Sequence, residues 1–162
     1  MTIDFFGRCA NITCNTECFK HKTKNHRFYL SFENSFCNEY VTEKFWRFNE
    51  LVPVVLSRRY YPKLHPESFI ALDDFSSLQA AAEYLNYLQK NDSAYVDHLM
   101  WTYTHRREFI PVERALCKIC NYVISRNTST PQVYHRIEEY QNRTSTCDLG
   151  YQLRWLKPRV FT

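Results

Sequence analysis

The sequence predicts an α/β fold built on a small parallel half-sheet, and three observations lead there. Short runs rich in β-branched and aromatic residues recur at 27–32, 51–56 and 69–72. Stretches with apolar residues three and four apart follow them, the spacing of helices that bury one face. The length of 162 residues falls within the roughly 100–200 of a single domain.

Residues 1–26 read as a polar, irregular lead-in whose basic stretch, 20–27, is a solvated loop. Residues 27–32 (RFYLSF) form a strand that runs into polar Glu33-Asn34-Ser35. A helix is expected from Asn38 or Glu39, because Val41, Phe45 and Phe48 recur at helical spacing while Tyr40, Lys44 and Arg47 share another face. The continuous apolar run 51–56 (LVPVVL) suits a strand covered on both sides, with Pro53 in its first residues or at an edge. A brief strand at 69–72 halts at Asp73-Asp74, and Ser76 or Ser77 then caps a helix over about 78–89 that buries Ala81, Leu85 and Leu88. Helices are also predicted at 95–101 and 112–124, the second with Leu116, Cys120 and Val123 on one side. From about 125 the chain is polar and weakly patterned, and the 125–162 tail is left outside the core. The expected organisation is therefore a 1–26 lead-in, a 27–124 domain ending in helices, and a 125–162 tail, without internal repeats.

Composition narrows the function. The net charge of +4 is mild and dispersed, unlike the concentrated basic patch of a nucleic-acid binder, and no nucleic-acid partner is expected. The longest clean apolar run has only the six residues 51–56, against about 20 for a spanning helix and about 7–15 for a signal-peptide core. Two glycines, Gly7 and Gly150, cannot build the glycine-rich phosphate loops of Walker or dinucleotide sites.

Seven cysteines and four N-x-[ST] sequons, at Asn11, Asn91, Asn127 and Asn142, point to an oxidising secretory compartment. The odd count leaves at least one thiol without a partner inside the chain. Cys14, Cys18, His21 and His26 have zinc-type spacing within each pair. Only two residues separate the pairs, however, where a finger has about a dozen, so no metal site is assigned. Cys117-Lys-Ile-Cys120 sits in a helical pattern with no preceding thioredoxin-like strand, and a structural disulfide is expected there.

The polar residues gather at one junction. In open α/β sheets ligands bind beyond the carboxyl ends of strands, where backbone N–H groups point outward. Glu33, Asn34, Ser35, Tyr40, Thr42, Glu43 and Lys44 surround such a point. A carboxylate can accept from sugar hydroxyls, an amide can donate and accept, and an ammonium can neutralise a phosphate, so the set suits a nucleotide sugar. The competing reading is structural: Glu43 and Arg47 as a surface ion pair, Tyr40 against the core, and Glu33-Asn34 as a cap.

The motifs resolve the choice. Phe28-Tyr29-Leu30-Ser31-Phe32-Glu33-Asn34-Ser35, followed by Tyr40-Val41-Thr42-Glu43-Lys44-Phe45-Trp46-Arg47, closely resembles the signature of the α1,3/α1,4-fucosyltransferases, glycosyltransferase family 10. Val52-Pro53-Val54-Val55-Leu56, then Pro66-Glu67-Ser68-Phe69-Ile70 with Asp73-Asp74-Phe75, then Ala82-Glu83-Tyr84-Leu85 and finally Cys117-x-x-Cys120 resemble further family motifs in the same order. The resemblance spans roughly residues 4–124.

It implies the Rossmann-like carboxyl-terminal half of a GT-B glycosyltransferase, the half that holds GDP-fucose. By that analogy Asn34, Tyr40, Glu43 and Lys44 contact the donor, with Lys44 on the diphosphate and Glu43 on a hydroxyl; Glu33 and Arg47 are further candidates. The implied reaction is inverting transfer of fucose to a glycan that contains N-acetylglucosamine. A carboxylate base takes the acceptor proton and cations stabilise the departing GDP. No metal is required, and manganese enters only as a stimulant of some members. Family members sit in the Golgi membrane facing the lumen. Their anchor, stem and acceptor domain, with the general base and a phosphate-binding arginine, would precede Met1, and no residue here is assigned as base. A silent secreted domain and a truncated gene product are the alternatives to an active enzyme. Two departures stand out: the segment between Trp46 and Pro53 is shorter than the family pattern by most of a helical turn, and Ser57 replaces a glycine. Both are expected to disturb the second strand and the loop after it.

Overall fold

The structure, a computed structural model, describes residues 3–6, 10–106, 108, 110–126, 133, 135–140, 146–148 and 150–151. Its centre is a three-stranded parallel sheet in the order β1 (Phe28–Leu30), β2 (Val52–Val55), β3 (Ile70–Ala71). Phe28 lies opposite Val52, and Val54 opposite Ile70. All four residues of β2 are buried, as a continuous apolar run covered on both faces requires. Pro53 occupies the second position of this central strand, not an edge. Its missing N–H costs no ladder bond to β3, whose pairing starts one residue later at Val54.

Side chains alternate across β2, and each face has its own apolar cluster. On one, Val52, Val54, Ile70 and Leu72 meet Ala81, Leu85 and Leu88 of α2 (Leu78–Lys90). Ser77 starts that helix, its hydroxyl accepting from Ala80 N at 3.1 Å. On the other, Val55, Phe69 and Ala71 lie under Phe36, Phe45, Tyr60 and Tyr61. Arg27 ties the first strand to the end of α2 by donating to Leu88 O at 3.1 Å, and its guanidinium also pairs with Asp92.

Several expectations need correction. Residues 16–23 of the lead-in form a helix, α1 (Thr16–Thr23), whose amino end is closed by Asn15 Oδ1 accepting from Cys18 N at 2.9 Å. The first part of the basic stretch lies in its last turn, with Lys20, His21 and Lys22 beside the exposed carbonyls they favour. Cys14 and Cys18 are joined by a disulfide, so neither offers zinc a thiolate. The 95–101 segment is a pair of short helices, α3 (Asp92–Asp97) and α4 (Trp101–Thr104), separated by a turn.

Within the 125–162 tail, the described residues 147, 148 and 151 are tied to the domain. Cys147 is disulfide-bonded to Cys37, Asp148 N donates to Phe36 O at 2.7 Å, and Tyr151 packs against both apolar clusters. The weak pattern around these residues hid this, because one disulfide and one aromatic ring carry no periodicity.

The last long helix, α5 (Val112–Ser125), forms as predicted, but none of its residues is buried. Cys117 and Cys120 on it are exposed free thiols, not a disulfide. Both thiols stand on the exposed surface of the helix, where no buried residue of α5 packs them toward each other. Among the described residues no helix is long and apolar enough to cross a membrane.

Candidate functional site

The junction beyond β1 has the expected residues and an unexpected backbone. Residues 38–47 form successive tight turns in place of a helix. Phe45 N bonds Thr42 O, Trp46 N bonds Glu43 O, and Tyr40 N bonds Cys37 O. Two local features stop helix propagation. Glu39 takes a φ of 60°, a left-handed value that a helix cannot contain, and Thr42 is held from outside.

That hold comes from Glu33. Its Oε1 accepts from Thr42 N at 2.8 Å and from Thr42 Oγ1 at 3.0 Å, and its Oε2 lies 2.7 Å from the same hydroxyl. With only 8% of Glu33 exposed, the carboxylate is a clamp that folds 33–42 into a closed loop. Thr42 Oγ1 in turn accepts from Lys44 N at 3.3 Å, a side-chain bond that competes with helical pairing.

Lys44 is the residue this framework presents. Its Nζ donates to Asn34 Oδ1 at 2.5 Å and to Phe32 O at 3.2 Å. Both acceptors are neutral. An ammonium has three protons, so one donor remains and the charge is not compensated by a carboxylate in that pair of contacts. Asn34, Tyr40 and Glu43 are exposed. Beside them Glu33, Ser35, Tyr40, Ser57 and Tyr60 line a slot of about 10 Å³, room for about one water. The site is thus an open rim rather than an enclosed cavity.

Arg47 faces elsewhere: its guanidinium lies over the rings of Phe19, at 4.6 Å, and Phe48, at 5.8 Å. Ser57 adopts φ −146° and ψ 130°, extended backbone open to any residue, so the glycine it replaces is not needed for conformation. The shortened 46–53 segment likewise leaves β2 in register with both neighbours.

Asp73 and Asp74, which the sequence offers as a strand stop and part of a family motif, also hold Arg58 and Tyr151. Asp73 Oδ1 accepts from Arg58 N at 2.9 Å, Asp73 Oδ2 accepts from Tyr151 OH at 3.2 Å, and Asp74 binds the Arg58 guanidinium through both oxygens. Asp73-Asp74 was legible as a strand stop, whereas the link to Tyr151, 78 positions away, had no local signal. Burial, helped by the nearby Glu33 carboxylate and Tyr29, pushes the Tyr61 phenol far above its ordinary 10.0. Burial likewise raises Tyr151.

Of the sequons, Asn11 is exposed with φ 52°. The Asn91 amide caps α3, accepting from Ala94 N at 3.0 Å and donating to Tyr87 OH at 3.0 Å. Asn127 and Asn142 lie outside the described residues. Among the described residues no group of three or more His, Cys, Asp or Glu side chains is placed to hold a metal.

Comparison with known families fixes the lineage. The description glycosyltransferase family 10 (fucosyltransferase) C-term matches residues 1–140. The chain belongs to glycosyltransferase family 10. This fucosyltransferase-family chain is 36% identical over 135 residues to alpha-(1,3)-fucosyltransferase fut-1 of Caenorhabditis elegans, covering 74% of the chain and 31% of that relative. It is 44% identical over 127 residues to 4-galactosyl-N-acetylglucosaminide 3-alpha-L-fucosyltransferase FUT6 of Pan troglodytes, covering 74% and 35%. It is 34% identical over 128 residues to glycoprotein 3-alpha-L-fucosyltransferase A of Drosophila melanogaster, covering 73% and 25%. The chain thus spans about a quarter to a third of the length of these curated relatives.

Proposed function

We propose that this chain carries the GDP-fucose-binding portion of an α1,3-type fucosyltransferase, with residues 27–124 as a Rossmann-like unit of GT-B type. One observation carries the reading: in a family 10 chain, Lys44 stands beyond the end of β1 and, among the described residues, its ammonium is held by the neutral oxygens of Asn34 and Phe32 with no carboxylate partner. An anionic diphosphate supplies the missing counter-charge and takes the third proton. Asn34, Tyr40 and Glu43, all exposed in the same 33–44 segment, would contact the ribose and the sugar hydroxyls. Glu33 acts on the donor through Thr42 and the loop, and Arg47 has its place on the aromatic rings of Phe19 and Phe48.

Because the site is a rim, the donor would be enclosed by a second wall from another part of a longer enzyme. The proposed reaction is inverting transfer to an N-acetylglucosamine-containing glycan. The acceptor hydroxyl loses its proton to a carboxylate base, the new bond forms at the anomeric carbon, and GDP leaves with its charge stabilised by Lys44. The base is not assigned to any residue here. The chemistry needs no metal, manganese being at most a stimulant, and the working location is the lumenal side of the Golgi membrane.

Calorimetric titration of the purified chain with GDP and GDP-fucose tests the proposal. Binding is expected, and Lys44→Ala should weaken it about 10- to 100-fold, the worth of one charge-assisted hydrogen bond. A well-folded chain that takes up no GDP, or a Lys44→Ala variant that binds as well as the parent, would refute it.

A further inference from the structure

We infer that Asn11 is an N-glycan attachment site and that Asn91, in a sequon of the same form, is a helix cap that carries no sugar. Of the four sequons, Asn11-Ile12-Thr13 and Asn91-Asp92-Ser93 lie wholly within the described residues. The pattern alone does not separate them; their surroundings do.

The thiols set the compartment. Cys14–Cys18 and Cys37–Cys147 are disulfides, which form and persist along the secretory route, where sequons acquire sugar. Transfer needs an asparagine amide free of other partners and a hydroxyl two residues on. The asparagine Nδ2 attacks C1 of the sugar in a lipid-linked diphospho-oligosaccharide. The N–C1 bond forms, the bond from C1 to the phosphate oxygen breaks, the amide yields one proton to solvent, and the lipid diphosphate leaves with the bonding electrons.

Asn11 meets these needs. Asn11, Ile12 and Thr13 are all exposed in the loop that enters α1. Among the described residues, neither the Asn11 amide nor the Thr13 hydroxyl has a hydrogen-bond partner. The chain just beyond is pinned by the Cys14–Cys18 bridge and by the Asn15 cap on Cys18 N, at 2.9 Å, so the sequon is kept out of the helix. A φ of 52° at Asn11 is a left-handed value that asparagine tolerates better than most residues. That accounts for an asparagine at position 11 but gives no task to Thr13. A sugar there stands next to Ile12, an apolar residue 49% exposed.

Asn91 is committed elsewhere. It is half-buried where α2 meets α3, its Oδ1 accepting from Ala94 N at 3.0 Å and its Nδ2 donating to Tyr87 OH at 3.0 Å. Asp92, the middle residue of its sequon, pairs with Arg27. A sugar on Nδ2 would replace an amide hydrogen at this corner and pull the side chain from the amide it caps. Folding therefore draws this sequon into a helix junction, out of the reach of a transferase. None of these residues belongs to the donor proposal, so the two can fail separately.

The test uses the full 162-residue chain, secreted from cultured mammalian cells behind a cleavable leader. Its peptides are treated with peptide-N-glycosidase in heavy-oxygen water, so that each occupied asparagine is read by mass spectrometry as a labelled aspartate. The Asn11 peptide should carry the label and the Asn91 peptide should not. Asn11→Gln and Thr13→Ala should each remove the glycan at this position, whereas Thr13→Ser, which keeps the hydroxyl, should retain it. Asn91→Ala should leave the glycan mass of the secreted chain unchanged and lower its urea midpoint, because it removes the cap. The inference is overturned by an unlabelled Asn11 peptide, by Thr13→Ala that keeps the label, by an Asn91 peptide labelled as fully as that of Asn11, or by Asn91→Ala with the midpoint of the parent.

Discussion

Removing the Glu33 carboxylate separates a clamp from a ligand. Glu33 receives two donors, the Thr42 amide and hydroxyl, over contacts of 2.7–3.0 Å, and only 8% of the residue is exposed. Glu33→Ala leaves both donors unpaired at about 1–3 kcal/mol each. Water can reach a part-buried loop, so about 2–4 kcal/mol in total is expected. Glu33→Gln keeps one acceptor oxygen and loses the charge, which should cost about 1–2 kcal/mol. Urea denaturation followed by tryptophan fluorescence reads these values. GDP titration of the same variants should weaken in step with stability, because Lys44 N is bonded to the hydroxyl that Glu33 holds. A Thr42→Val change should reproduce most of the Glu33→Gln loss, and the double variant should cost less than the sum. The clamp argument is wrong if Glu33→Gln keeps full stability yet loses the donor, since that is the behaviour of a direct ligand. It is equally wrong if Glu33→Ala leaves the midpoint unmoved.

Three other outcomes follow from the structure. The Cys37–Cys147 bridge closes a loop with a sequence separation of 110, which in the chain-entropy picture stabilises by up to about 5 kcal/mol; the double Ser variant should lower the urea midpoint, and the same midpoint in both proteins would show that the Asp148 amide and Tyr151 hold residues 147–151 without it. Tyr61 is buried with its phenol pKa raised from 10.0, so the folded state holds a proton that the unfolded chain releases. Its contribution is therefore full below pH 10 and is lost as the pH rises from there toward the folded value; Tyr61→Phe should flatten the fall in stability measured from pH 9 to 11, taken as about one unit either side of the ordinary tyrosine value, and an unchanged slope would place the effect on other groups. Ser77→Ala removes the cap on Ala80 N and should lower the melting temperature by an amount equivalent to about 1 kcal/mol; no change would mean that water takes over the amide.

The sequence by itself determined what depends on neighbours along the chain. The all-apolar 51–56 run, the periodicity over about 78–89 and a serine cap at 76 or 77 are local patterns, and the structure has the buried strand and a helix over Leu78–Lys90 that Ser77 caps. The family signature likewise placed Lys44, Asn34 and Glu33 together. Tertiary contacts decided the rest. Val41, Phe45 and Phe48 have helical spacing, yet Glu33 takes the Thr42 amide from outside and Glu39 turns left-handed, so the turns win over periodicity. The role of Glu33 as clamp, the pull of Arg47 toward Phe19 and the anchoring of 147–151 are contacts between distant positions. Periodicity reports which residues want burial; it does not report which partner reaches them first.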